Sequence, residues 1–225
     1  MASWIVTIDG PSGAGKTTAA RLLAARLGCD YLDTGAGYRV AALALQRAGI
    51  PVEADDERIR QHLLSLRIEL KGPAALLDGE DVSGPIREPA VAQAASRIAE
   101  RPVVREFLKG WQRQWASGRR VVTEGRDQGT TVFPGALCKF FLEAAPEERV
   151  ERRFRELQSR GIPISREQVR SSQQERDLRD STRAIDRLEP APDAIRIDST
   201  PLTVEAVVDL MAAHVAQRLR QLSPP

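Results

Sequence analysis

An apolar run at residues 4–9, broken by Gly10-Pro11, predicts a strand buried on both faces. Residues 17–27 then show helical apolar spacing and stop at Gly28, a residue suited to a helix C-cap. Tyr31 and Leu32 predict a second short strand, and residues 36–48 a helix that ends at Gly49 with Pro51 close behind. Between residues 67 and 83 the pattern changes. Strand-like pieces at 67–70 and 75–77 surround Gly72-Pro73 and Asp78-Gly79, which predicts a small antiparallel patch inserted between helices. Helices resume at 89–99 and 102–117, each opening with Pro where its missing N–H costs nothing. Short apolar strands follow at 121–123 and 139–142, then polar helices at 146–158 and 165–179. Ser165 with Gln168 three positions later forms a capping box for the second of these. A last strand at 195–198 and an amphipathic helix at 203–222 complete the chain's pattern. Strands alternating with helices, without repeats or long linkers, predict an α/β fold with a mainly parallel sheet covered on both faces.

The first strand-to-helix junction carries chemistry. Gly10-Pro11-Ser12-Gly13-Ala14-Gly15-Lys16-Thr17 fits the phosphate-binding loop pattern at every position and lies between a predicted strand and a predicted helix. Glycines let backbone N–H groups turn inward around phosphate oxygens, and the helix N-terminus adds a favourable dipole. Lys16 would bridge phosphate oxygens, and the Thr17 hydroxyl would ligate Mg²⁺. The chain holds only four Lys, and one of them stands here. A nucleoside triphosphate site is the expectation. Such a loop does not by itself separate kinase, ATPase, GTPase and motor. A chain of 225 residues leaves little room for a motor's coupling domains, and the Asn-Lys-x-Asp stretch of guanine readers is absent from the sequence.

Composition narrows the classes further. Hydrophobic residues at 42% and charged residues at 28% describe an ordinary soluble balance, and the length fits one domain. Of 33 basic residues 29 are Arg, yet the net charge is only +2. A compositional bias toward Arg would give that count, and so would a set of guanidinium forks matched to phosphate oxygens. No basic run exceeds two residues and only ten aromatics are present, which argues against a nucleic-acid surface. Cys29 and Cys138 stand far apart outside any Cys-x-x-Cys pattern, as expected of reduced thiols. Residues 1–10 lack a basic stretch followed by an apolar one, and no apolar run approaches the roughly 18 residues of a span. A soluble, cytoplasmic protein is expected. His62 and His214 lie in helix-like stretches, so no His-based acid/base mechanism is anticipated.

Further Arg- and carboxylate-bearing segments follow predicted strands, where open α/β sheets bind ligands. They are Asp33-Thr34-Gly35-Ala36-Gly37-Tyr38-Arg39 and Glu124-Gly125-Arg126-Asp127. In Glu175-Arg176-Asp177-Leu178-Arg179-Asp180-Ser181-Thr182-Arg183, residues Arg176, Asp180 and Arg183 share one helix face. The same spacing describes a solvated face laced with ion pairs. Added to these segments are Ile8-Asp9 before the loop, Gly79-Glu80-Asp81-Val82-Ser83 with Ile86-Arg87, Ala95-Ser96, Val104-Arg105 and Val132-Phe133-Pro134. With them the chain resembles the bacterial cytidylate kinases (CMP/dCMP kinases) over nearly its whole length. The Gly79-to-Ser83 stretch makes the resemblance specific, since phosphate-binding loops in general do not carry it.

The resemblance implies a P-loop nucleoside monophosphate kinase fold, a five-stranded parallel sheet flanked by helices, as a single domain over residues 1–225. The P-loop would span 10–18 and a monophosphate-binding region, holding the small antiparallel sheet, roughly 32–100. A short mobile lid would lie near 150–165, where Arg149, Arg152, Arg153 and Arg155 reach over ATP. By the same resemblance ATP is held by Gly10, Pro11, Ser12, Gly13, Ala14, Gly15, Lys16, Thr17, Thr18 and Arg153, with Mg²⁺ at Thr17. Ser96, Arg105 and Asp127 would contact the cytosine, Arg176 and Asp180 the sugar, and Arg39, Arg126 and Arg183 the acceptor phosphate, with Thr34 close by. Lys16, Arg126, Arg176 and Arg183 would carry the transfer. A monomer acting on ATP and CMP or dCMP, with no nucleic-acid or membrane partner, is implied.

The chemistry of these residue types agrees. The cytosine amine is matched by a carboxylate such as Asp127 and its acceptors by Arg105 and Ser96, whereas uracil would set a carbonyl against that carboxylate. Phosphoryl transfer needs positioning and charge neutralisation more than a proton-transferring residue. Two positions depart from the family pattern. Gly37 replaces a bulky apolar residue before Tyr38-Arg39, which is expected to open space, and Gln128 replaces an apolar residue beside Asp127. Both bear on substrate preference. The competing readings are a P-loop kinase for UMP, AMP or shikimate, and a nucleotide-binding regulator without turnover.

Overall fold

The run Trp4–Asp9 forms strand β1, and its Val6, Thr7 and Ile8 are fully buried, as a strand covered on both faces requires. β1 pairs in parallel with β6 (Arg120–Gly125) on one side and β7 (Cys138–Glu143) on the other. β7 in turn pairs in parallel with β8 (Ile195–Asp198). With β2 (Asp30–Asp33) the five strands run in the order β2-β6-β1-β7-β8. Helices α1 (Lys16–Leu27) and α8 (Val204–Leu222) lay Leu23, Val208, Met211 and Val215 against Val6, Ile8, Val122, Phe140 and Leu142 of the sheet. In this computed structural model, which describes residues 3–222, the chain divides into two compact units. One comprises the described residues up to Tyr31 and from Gly118 onward, the other Leu32–Ser117.

Inside the second unit, α2 (Thr34–Arg47), α3 (Asp56–Ser65), α4 (Pro89–Ile98) and α5 (Pro102–Ala116) surround their own core of Val40, Leu45, Ile59, Leu63, Val91, Ile98, Val104 and Leu108. The inserted patch is a three-stranded antiparallel sheet of β3 (Ile68–Lys71), β4 (Ala74–Leu77) and β5 (Glu80–Asp81). Asp78 and Gly79 both take left-handed backbone, with φ of 52° and 89°. That is the two-residue turn whose twist suits a hairpin, and Asp-Gly is among the pairs that reach it cheaply. Trp111 and Trp115 on α5 donate their indole N–H groups to the carbonyls of Ile68 (3.0 Å) and Leu70 (3.4 Å), tying β3 to the helix.

Trp111 also answers the expectation attached to Gly37. A Cβ at Gly37 would stand 2.9 Å from Trp111 Cζ3, so the indole already fills the place of a side chain there. The space is occupied from α5 instead of from α2. Gly37→Met is therefore expected to lower stability by roughly 2 kcal/mol through overpacking. Trp111→Leu in the same chain should recover most of that loss, and denaturant titration of the two single variants and the double one measures it. Additive losses would show that the two positions do not compete for one volume.

In the first unit α6 (Pro146–Ser159) and α7 (Arg166–Thr182) form a helical pair around Val150, Phe154, Leu157 and Val169. The capping box at Ser165 and Gln168 is formed in both directions, at 3.2 Å and 2.8 Å. A π-helical turn at Gln128–Val132, unanticipated from the sequence, follows β6 directly after Asp127. Cys29 and Cys138 are free thiols, both pushed up to about 11 by burial. No helix among the described residues is long and apolar enough to cross a membrane.

Candidate active site

The phosphate-binding loop takes its shape from backbone that only glycine reaches easily. Gly10, Gly13 and Gly15 have φ of 147°, 80° and 88°. A Cβ on Gly10 would fall 2.1 Å from the carbonyl oxygen of Leu142, so no side chain fits there. Gly15 is the N-cap of α1 and supplies no side-chain cap, which leaves the first-turn N–H groups to an anion. Lys16 is buried and folds back to donate from Nζ to the Pro11 carbonyl at 2.6 Å. Burial pushes its ammonium down to about 7, and the charges of Arg126 and Arg176 push the same way while Glu124 and Asp9 oppose them. A buried cation among other cations is an anion site in waiting.

The expected Mg²⁺ ligand has a neighbour that sequence reasoning left out of the site. Thr17 Oγ1 donates to Glu124 Oε1 at 3.1 Å, and the Tyr31 hydroxyl donates to the same oxygen at 3.5 Å. Glu124 is buried at the end of β6. Hard oxygens of this kind suit Mg²⁺, which is usually held by one or two protein groups plus phosphate oxygens. The signal was present, since Glu124 stood in a quoted motif beside Arg126, but only the β1–β6 register puts it next to Thr17: Ile8 lies opposite Glu124.

Asp9 is a second such residue. It ends β1, is buried, and accepts from the backbone N–H groups of Gln128 (2.9 Å) and Gly129 (2.7 Å). Those two bonds pin the π-helical turn that begins directly after Asp127. Burial raises the Asp9 carboxyl to about 6 with a contribution from Asp127, against the two backbone donors and Lys16. Gln128 itself turns inward, where its Oε1 accepts from Thr123 Oγ1 at 3.1 Å and its side chain packs over Gly125. The departure from an apolar residue is thus met inside the fold.

Arg126 Nε donates to Asp180 Oδ2 at 2.7 Å, and Arg183 lies 3.9 Å from the other carboxylate oxygen. Burial tends to raise the Asp180 carboxyl, but Arg126, Arg176 and Arg183 together hold it below the usual carboxylate range. Only Arg176 and Asp180 of the expected helix face lie on α7, which ends at Thr182. Arg183 is its C-cap, with φ −50° and ψ 145°, and still joins Arg126 and Arg176 around the buried Asp180. Arg126 and Arg176 also surround Lys16. In the other unit Thr34 is buried at the first turn of α2, and Arg39 lies 3.5 Å from both oxygens of Asp33, the N-cap that also accepts from Ala36 N. Arg105 is almost fully buried and donates to the Ala99 carbonyl at 3.2 Å, and Ser96 sits half-buried on α4. Of the four arginines expected over ATP, Arg149 reaches the Ser12 carbonyl and Arg152 the Ser199 hydroxyl and carbonyl, while Arg153 and Arg155 pair with Glu156 and Glu151.

Comparison with known proteins accords with this arrangement. A solved structure described as an uncharacterized protein from Eubacterium ventriosum ATCC 27560 shares the fold, with a TM-score of 0.51 at 11% identity over 95% of this chain and 99% of that one. The cytidylate kinase of Vibrio cholerae serotype O1 is 45% identical over 219 residues, covering 96% of this chain and 97% of its own. That of Solibacter usitatus is 46% identical over 218 residues, covering 96% and 93%. The family model for cytidylate kinase matches residues 6–217, and with that match across both units the chain belongs to the cytidylate kinase family.

Proposed function

We propose that the chain transfers the γ-phosphate of ATP to CMP or dCMP, giving ADP and CDP or dCDP. The observation that carries this reading is the buried Lys16 of the phosphate loop under the charges of Arg126 and Arg176, a cationic centre with no histidine in it. Phosphoryl transfer asks for that: in-line placement and neutralisation of spreading negative charge. Gly10 to Thr18 hold the donor phosphates, with Arg153 over the nucleotide, and Lys16, Arg126, Arg176 and Arg183 stabilise the transferring group. Mg²⁺ would be held by Thr17 and phosphate oxygens with Glu124 beside them, and would supply positive charge against the donor's phosphates. Ser96, Arg105 and Asp127 read the cytosine, Arg176 and Asp180 the sugar, and Arg39 and Thr34 the acceptor end. The protein acts as a monomer on free nucleotides in the cytoplasm.

ADP release from ATP and Mg²⁺, with CMP, dCMP, UMP, AMP and shikimate offered separately, tests the reading. Turnover with CMP and dCMP well above the other three is the expected result. Equal rates on UMP or AMP would refute the base preference, and nucleotide binding without transfer to any acceptor would refute the enzyme.

A further inference from the structure

The crest of the phosphate loop is held from outside. Arg149 on α6, with only 11% of its side chain exposed, donates from Nη1 to the carbonyl oxygen of Ser12 at 3.1 Å and to Asp177 Oδ2 at 2.5 Å. Gln173, one turn earlier on α7, donates to the carbonyl of Arg149 at 3.2 Å. The next loop residue is pressed against the same pair. A Cβ on Gly13 would stand 2.7 Å from Gln173 Nε2 and 2.9 Å from the Arg149 carbonyl oxygen. Gly13 thus has no room for a side chain beside Arg149 and Gln173, and Ser12 is bound to Arg149.

The cluster is also incompletely satisfied. Arg149 Nε, Asp177 Oδ1 and Gln173 Oε1 are all buried without a hydrogen-bond partner in this structure. Unsatisfied buried polar atoms are costly, so changing one member of the cluster disturbs the others. We propose that Asp177 is a positioning residue for the donor nucleotide: through Arg149 it fixes the Ser12 carbonyl, and with it the loop that receives the phosphates. Asp177 touches no substrate in this scheme. It adjoins Arg176 and precedes Asp180 by one turn on α7, so the helix that meets the acceptor also sets the loop that meets the donor. That last link rests on the roles assigned to Arg176 and Asp180 above, whereas the hold on Ser12 does not.

Calorimetric titration of ADP and, separately, of CMP into the protein, its Asp177→Asn and Arg149→Met variants and the double variant tests the proposal. ADP affinity should fall about tenfold in each single variant and no further in the double one, because the two residues act as one unit. CMP affinity should stay unchanged throughout. An equal loss for both ligands, tracking a lowered melting temperature, would reduce the cluster to structural support and overturn the proposal. Additive losses, or an unchanged ADP affinity, would overturn it too. If CMP binds none of the proteins, the acceptor assignment fails, and the ADP titrations still decide the role of Asp177.

Discussion

Lys16→Met is expected to lower kcat for ADP release with CMP by roughly 10²–10³-fold while leaving CMP affinity unchanged. The range is that of removing one preorganised charge stabiliser from a site where charge develops. Its environment gives a second, independent readout. The ammonium is held down to about 7 by burial and by Arg126 and Arg176, so at pH 8 Lys16 is largely neutral in the free protein. A triphosphate's negative charge restores the protonated form, so binding at pH 8 takes up close to one proton. The sign follows from linkage: affinity for the nucleotide weakens as pH rises above 7, by up to about tenfold per unit. Calorimetry in two buffers of different ionisation enthalpy measures the proton count directly. Uptake at pH 8 that disappears by pH 6, and is absent at both in Lys16→Met, is the expected pattern. No uptake at pH 8 would mean that Lys16 is already charged in the free protein and that burial does not set its state.

That loop was readable without coordinates because its information is local. Glycine at 10, 13 and 15, a strand before and a helix after are all contained in some two dozen residues, and the structure returns β1 as expected and α1 with one added residue. The capping box at Ser165 and the Asp78-Gly79 turn were legible for the same reason. What failed to show was long-range. The π-helical turn after Asp127 is pinned by Asp9, 119 and 120 residues earlier, which no periodicity announces. Glu124 joins Thr17 only through the register of β1 and β6. Gly37 suggests open space in the sequence because the residue that fills it, Trp111, belongs to another helix. Helix α3, capped by Asp55, has almost no apolar periodicity to announce it, since only Ile59 and Leu63 of its ten residues are buried. Charge partners follow the same division: spacing puts Arg176 and Asp180 on one face of α7, but the helix stops at Thr182, before Arg183, and Arg126 arrives from the segment after β6.

Asp180→Ala is expected to destabilise the protein by about 3–5 kcal/mol, because it leaves Arg126 buried without its carboxylate. Arg126 and Asp180 have side chains only 16% and 12% exposed, and the neighbouring Arg183 only 7%. For a chain of this size the melting temperature should fall by roughly 6–20 °C, measured by calorimetry at pH 7. Replacing both partners, Arg126→Met with Asp180→Leu, should cost less than Asp180→Ala alone, since a charge pair exchanged for apolar groups leaves one buried cation fewer. Acid should act like the single substitution. The Asp180 carboxyl is held below its ordinary value by Arg126, Arg176 and Arg183, so its contribution is complete above pH 4 and is lost as pH falls through the depressed value. Activity separates the two jobs of the cluster. Arg126, Arg176 and Arg183 converge on Asp180, with Glu124 and Asp177 also acting on Arg126, and those guanidinium groups are what an acceptor phosphate would meet. The double variant should therefore recover stability without recovering turnover, and CMP should raise the melting temperature of the native protein but not of the double variant. If the double variant still turned over CMP at the native rate, Arg126 would be a structural residue, and the charge balance at the transferring phosphate would rest on Lys16, Arg176 and Arg183 alone.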